Sequence, residues 1–193
     1  MGRARSFDET AVLDAATDRF WRHGYGATSV RDLGVAMGLG PASLYNAFGD
    51  KQALFARCLD HYLDANMRER MARLEPGRAA LAAFLEETVT RSAKDPRGCL
   101  LVNSALEVAP HDPQIARVVA DRLGELEAFF RRCVLAGQAD GSICARRDAD
   151  AMAALFITVV MGLRVLARGR PGRARLASAA GAALALLDPP ETE

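Results

Sequence analysis

Apolar residues recur at three- and four-residue spacing along nearly the whole chain, and no stretch alternates convincingly. The pattern predicts helices and no sheet. From Asp8 to His23, Leu13, Ala16 and Phe20 fall on one face, and Gly24 ends the run. Thr28 is placed to cap a short second helix, with Val30, Leu33 and Ala36 turned inward and Gly38 beyond its end. Gly40-Pro41 opens a third short helix that reaches Phe48; proline suits a first turn, where the N–H it lacks has no partner to lose. After Gly49-Asp50 a long fourth helix carries Phe55, Cys58, Leu59, Tyr62, Leu63, Met67, Met71 and Leu74 up to Pro76-Gly77. Further helices are expected over 78–93 and 99–108, from Asp112-Pro113 to Gly137, from Asp148 to about Ala167, and over an alanine-rich segment ending near Leu187. The expected fold is all-α, with about nine helices. A three-helix head over residues 6–52 precedes a helical body over 53–188.

Composition narrows the function. The chain has 193 residues, half of them apolar, and a net charge of +1, so it holds a sizeable core and has no global pull towards nucleic acid or membrane. Cys58, Cys99, Cys133 and Cys144 lie far apart, as do His23, His61 and His111, and no spacing fits a zinc site. No metal or cofactor is expected. The longest apolar stretch, Ala151 to Leu163, falls short of the roughly 20 residues that span a bilayer, and no signal peptide is recognisable. A cytoplasmic protein without a membrane role is expected. No G-x-S-x-G, Cys–His, H-E-x-x-H or phosphate-loop context appears, which argues against an enzyme.

The head offers more. Two short helices around Met37 to Gly40 make a helix-turn-helix over about 29–48, whose second helix suits the major groove. On it Ala42 and Ser43 are small enough for close approach to DNA, Tyr45 and Asn46 carry hydrogen-bonding tips, and Leu44 and Phe48 face inward. Thr28 and Ser29 stand at a helix N-terminus that suits a phosphate, and Lys51 opens the fourth helix on the same side. Arg3 and Arg5 precede the first helix as a basic arm.

The stretch Phe20-Trp21-Arg22-His23-Gly24-Tyr25-Gly26-Ala27-Thr28-Ser29-Val30-Arg31-Asp32-Leu33 closely resembles the opening of the TetR (tetracycline repressor) family head. Ala36 to Leu54, containing Leu44-Tyr45-Asn46-Ala47-Phe48 and Lys51, resembles its turn, recognition helix and linker. The resemblance covers about 50 residues and implies a homodimeric transcriptional regulator, usually a repressor, released from a palindromic operator by a small inducer. Thr28, Ser29, Pro41, Ala42, Ser43, Tyr45, Asn46 and Lys51 are then its contacts to double-stranded DNA. Three positions depart from the family's habit: Gly40 where a hydroxyl is frequent, Ala42 where glycine is, and Asn46 in place of an aromatic or His. The competing function is an all-helical small-molecule binder or enzyme without a DNA role.

In the body, Arg97-Gly98-Cys99 stands at a predicted helix start, where the dipole and Arg97 both favour thiolate. Arg97 to Glu107 is similar to a segment of a TetR subgroup with electrophile- and redox-responsive members. Cys99 is thus either a thiol sensor or an inert core cysteine. Tyr62, Phe84, Thr88, Asn103, Ser104 and Glu107 either orient an inducer in one apolar pocket or make helix–helix hydrogen bonds. Ala151 to Leu163 and the alanine-rich last helix are expected to form a two-fold interface, with Val160 and Ala183 in it.

Overall fold

A computed structural model describes residues 7–188, all of whose regular structure is helical. Arg3 and Arg5 lie outside the described residues. The head consists of α1 (Glu9–His23), α2 (Val30–Met37) and α3 (Pro41–Phe48). Asp8 starts α1 by accepting from the N–H groups of Thr10 and Ala11, and Gly24, at φ +82°, ends it. Phe20, Leu33 and Leu44 from the three helices are almost completely buried together. The turn between α2 and α3 needs glycine twice. Gly38 is left-handed at φ +64°, and a Cβ on Gly34 would stand 2.9 Å from the Leu39 carbonyl oxygen.

The cap of α2 is Ser29, one residue later than the sequence suggests. Ser29 and Asp32 form a reciprocal capping box, each side chain accepting from the other's backbone N–H. Thr28 is 0% exposed, and its hydroxyl donates to the Gly24 carbonyl at 2.7 Å.

The rod α4 starts with Lys51–Leu63, passes through a π-helical turn at Asp64–Arg68 and closes with Glu69–Ala72. The wider turn interrupts the regular spacing expected over this stretch. The Asn66 amide reaches back to the Tyr62 carbonyl at 2.8 Å.

The body adds α5 (Arg78–Lys94), α6 (Leu100–Glu107), α7 (Pro113–Ala139), α8 (Ala149–Leu166) and α9 (Arg173–Ala185). Asp112 and Asp148 cap α7 and α8 as expected. Gly137 does not end α7; it lies inside the helix, where the lack of a side chain lets Ile143 pack against the backbone. Phe84, Phe129, Phe130 and Phe156 interlock in the body, and the core continues unbroken along α4 into the head.

Helix α8 corrects two expectations. With its 3₁₀ extension it covers Ala149–Gly169, 21 residues whose most apolar window has a mean hydropathy of 1.8, long and apolar enough to cross a membrane. The shorter estimate stopped at Arg164, which is a buried residue within the helix. Only 28% of the most apolar window is buried, so one face packs on α7 and α9 while the other remains open. Val160 (4% exposed) and Ala183 (5% exposed) belong to the chain's own core, not to the open face. That face carries Ala151, Ala154, Thr158, Gly162 and Val165, followed on α9 by Ala174, Ser178, Ala179 and Ala182.

Candidate nucleic-acid interface and effector cavity

On α3, Leu44 and Phe48 are buried, which turns Pro41, Ala42, Ser43, Tyr45 and Asn46 outward together. No side-chain cap covers the start of this helix, so its first N–H groups and its small residues form an open approach. Ser29 is exposed as well, with its hydroxyl committed to Asp32. Lys51 is half-buried, with Nζ 4.2 Å from the centre of the Tyr25 ring; this burial lowers its pKa from the ordinary 10.5. Thr28 is the exception among the expected DNA contacts. Its side chain faces inward, and both its hydroxyl and its N–H bond to the preceding turn.

Several side-chain bonds fasten the head and the start of α4 to the body. The Glu107 carboxylate accepts from the N–H groups of Tyr25 at 3.2 Å and Gly26 at 2.8 Å, clamping the α1–α2 turn. The Gln52 amide donates to the Asp112 carboxylate at 2.6 Å. Arg97 pairs with Asp18 of α1 and with Asp95, both at 2.7 Å, and lies 3.8 Å over the Trp21 ring. The Arg22 guanidinium, which donates to Asp18 at 2.6 Å, holds that carboxyl below its ordinary 3.8 with Arg97 adding, and Arg97 holds Asp95 below the same value.

Arg97 is therefore turned away to the head, and the cation beside Cys99 is Arg164. Arg164 is 9% exposed, and its guanidinium donates to the Gly98 carbonyl at 2.8 Å, the Ser92 hydroxyl at 3.3 Å and the Tyr62 hydroxyl at 3.5 Å. Tyr62 in turn donates to Cys99 Sγ at 3.7 Å, and its ring packs edge-on against Trp21, centroids 4.9 Å apart. A short path thus runs from the thiol through Tyr62 to the first helix of the head.

The single inducer pocket expected from the sequence divides in two. Tyr62, Phe84 and Thr88 line a cavity together with Cys99, Arg70, Arg91 and Arg164. Asn103, Ser104 and Glu107 line a separate cleft at the head–body junction, with Trp21, Tyr25 and Arg168. The reason is helical phase. Asn103 bonds the Arg97 carbonyl and Arg168, Ser104 donates to the Leu100 carbonyl, and Glu107 is held by the head.

The other thiols differ. Burial pushes Cys58 up to about 12 and raises Cys133, which makes both inert. Cys144, passed over in the sequence, is half-buried, and its pKa is lowered chiefly by the Arg146 backbone N–H, with the charges of Arg146 and Arg147 adding. Among the described residues no group of three or more His, Cys, Asp or Glu is placed to hold a metal ion.

Comparison with known proteins agrees with this layout. Residues 12–58 match the family model described as bacterial regulatory proteins, tetR family, and residues 77–183 match a tetracyclin repressor-like C-terminal domain. The HTH-type transcriptional repressor ComR of Escherichia coli (strain K12) is 31% identical over 191 residues, covering 96% of this chain and 91% of its own. The HTH-type transcriptional regulator YezE of Bacillus subtilis (strain 168) is 32% identical over 195 residues, covering 97% of this chain and all of its own. A cysteine mutant of the TetR family regulator CifR, solved with a 26-bp double-strand operator DNA, is 36% identical. It superposes with a TM-score of 0.85 over 97% of this chain and all of that one. The head with its outward-facing α3, the helical body and the matches to both parts lead to one assignment: this chain belongs to the TetR family of bacterial transcriptional regulators.

Proposed function

We propose that the protein represses transcription by binding a palindromic operator as a homodimer, and that modification of Cys99 releases it. The outward face of α3 carries the first half of this reading: Ala42 and Ser43 permit close approach, Tyr45 and Asn46 reach base edges, and Ser29, Pro41 and Lys51 position the backbone. The names of the relatives support it, since ComR is a repressor and CifR was solved on operator DNA. The Cys99–Tyr62–Trp21 path carries the second half. A maleimide serves as the test electrophile. Sγ adds to one carbon of its C=C bond, and the proton given up by the thiol ends on the other carbon. The added bulk displaces Tyr62 and, through Trp21, the head.

The experiment begins with capture of an operator from genomic DNA of the source organism. Binding to that operator and to a random duplex is then measured before and after N-ethylmaleimide, for wild type, Cys99→Ser and Cys144→Ser. The expected result is strong preference for the operator, lost on alkylation in wild type and Cys144→Ser and retained in Cys99→Ser. Equal affinity for operator and random duplex would overturn the DNA reading, and release of Cys99→Ser by the reagent would overturn the thiol reading.

A further inference from the structure

The corner between α8 and α9 gathers positive charge. No acidic residue occurs between Asp150 and Asp188, whereas Arg164, Arg168, Arg170, Arg173 and Arg175 all fall in that stretch. Arg164 is buried and Arg173 pairs with Glu86, which leaves Arg168, Arg170 and Arg175 exposed, with Lys94 exposed at the end of α5. Lys94 and Arg170 line one open hollow with Pro96 and Gly172. Among the described residues no carboxylate pairs with Lys94, Arg168, Arg170 or Arg175, and Arg168 bonds only the neutral Asn103 amide, at 2.9 Å. Asp95, next to Lys94 in the chain, is taken by Arg97, and Glu107, in the same cleft as Arg168, by the Tyr25 and Gly26 N–H groups. Arg170 is also strained. At φ 51° it is the one non-glycine residue in the left-handed region among the described residues. Glycine adopts that conformation freely, whereas an arginine there costs stability, and this side chain makes no bond within the chain. A strained, unpartnered cation at a turn suits a use outside the chain.

Position points to the partner. Helix α8 ends beside the head, where Arg168 lines a cleft with His23, Gly24 and Tyr25, whereas α9 runs to the opposite end of the body, where the Leu187 carbonyl accepts from the Cys144 N–H. The α1–α2 turn in that cleft leads directly to Ser29, and Lys51 sits over the Tyr25 ring. The corner cations therefore lie on the body side of the turn that adjoins both of these backbone-positioning residues. A DNA duplex carries one negative charge per about 1.7 Å of its axis, a row that suits several spaced, exposed cations. We propose that the α8–α9 corner makes a second contact to DNA, in which Arg170 and Lys94 hold the phosphate backbone beside the half-site under α3 without reading bases. The proposal rests on the reading of the chain as an operator-binding regulator and gives the body a share in that binding. Its effect falls on affinity and salt dependence, not on base preference.

The test compares full-length wild type with Lys94→Gln/Arg170→Gly, with the charge-retaining Lys94→Arg/Arg170→Lys, and with Arg132→Gln/Arg146→Gln. The last pair removes equal charge from exposed positions towards the far end of the body. Anisotropy of the captured operator and of a random duplex is followed between 50 and 200 mM salt. Loss of one phosphate contact per protomer should weaken binding to both duplexes by about tenfold or more at 50 mM, and make the slope of log affinity against log salt shallower by about 2 for a dimer. The charge-retaining and far-end variants should bind like wild type. Arg170→Gly alone relieves the turn, so its Tm should be unchanged or higher while DNA affinity falls, which separates a lost contact from lost folding. The proposal is overturned if Lys94→Gln/Arg170→Gly binds like wild type, if the far-end pair costs as much, or if the charge-retaining pair does not bind like wild type. It is overturned too if the loss falls on the operator alone, or if Arg170→Gly lowers Tm and affinity together. Equal affinity of wild type for the two duplexes would instead reject operator reading by α3, while the salt slopes still report the corner contact.

Discussion

Thr28 and Ser29 are neighbouring hydroxyl residues at one helix start, yet they do different work. Thr28 supplies a buried donor to the Gly24 carbonyl, whereas Ser29 caps α2 at the surface. Thr28→Val, similar in shape, leaves that carbonyl unpaired and is expected to cost about 1 kcal/mol in urea unfolding, with operator affinity of the folded protein unchanged. On the DNA face the division is different. Lys51→Ala should weaken binding to all sequences alike and make the salt dependence shallower, as loss of one phosphate contact does. Asn46→Ala should cost about 1–3 kcal/mol on the operator and relax preference at one base pair. An Asn46→Ala that weakens operator and random duplex alike, or a Lys51→Ala that weakens the operator alone, would contradict these roles. Thiol chemistry separates at the same scale. Ellman's reagent should titrate Cys99 and Cys144 in the native protein and all four thiols in denaturant, because Cys58 and Cys133 are buried.

At the scale of elements, the joints between head and body decide how a change in the body reaches DNA. Glu107→Ala removes the acceptor for the Tyr25 and Gly26 N–H groups and frees the α1–α2 turn from α6. The expected outcome is a modest loss of stability and a several-fold loss of operator affinity in anisotropy, with Glu107→Gln intermediate. An unchanged affinity would remove Glu107 from the coupling. The Arg97 joint is sensitive to acid. Asp18 and Asp95 are held below 3.8 in the folded chain, so their contribution is complete above that pH and is lost as pH falls through the depressed values. Arg97→Gln should therefore flatten the part of the acid-side loss of urea stability that Asp95 contributes, while Arg22 continues to hold Asp18. Much of this scale was legible beforehand: Asp112-Pro113, Gly38 and Pro76-Gly77 mark local backbone needs that a sequence states directly. The π-helical turn, the redirection of Arg97 and the buried Arg164 were not, because each follows from which distant side chain arrives opposite. Helical spacing puts Asn103 and Glu107 on one face but does not say whether that face meets α4 or the head.

At the scale of the whole molecule, the open faces of α8 and α9 form an extended surface of small and apolar residues among the described residues. Thr158, Gly162 and Val165 on one helix and Ser178, Ala179 and Ala182 on the other are small or apolar. Against the same faces of a second copy they allow close approach of four helices around a two-fold axis. A palindromic operator requires two copies of α3 on one side at the spacing of successive major grooves, and a two-fold axis at these faces is expected to supply them. The positions for a test follow from burial, not from hydrophobicity. Val160→Arg and Ala183→Arg put a charge into the protomer's own core, so both are expected to unfold the chain and say nothing about association. Gly162→Arg and Ala182→Arg put the same charge on the open face, where a Cβ meets no atom at Gly162. Light scattering of wild type should give about twice the 20.7 kDa chain mass, and both open-face variants should give a helical, cooperatively unfolding species at 20.7 kDa. Their operator affinity should fall by several orders of magnitude, since each head then binds its half-site alone. A dimer that survives both substitutions would place the two-fold axis elsewhere on the body.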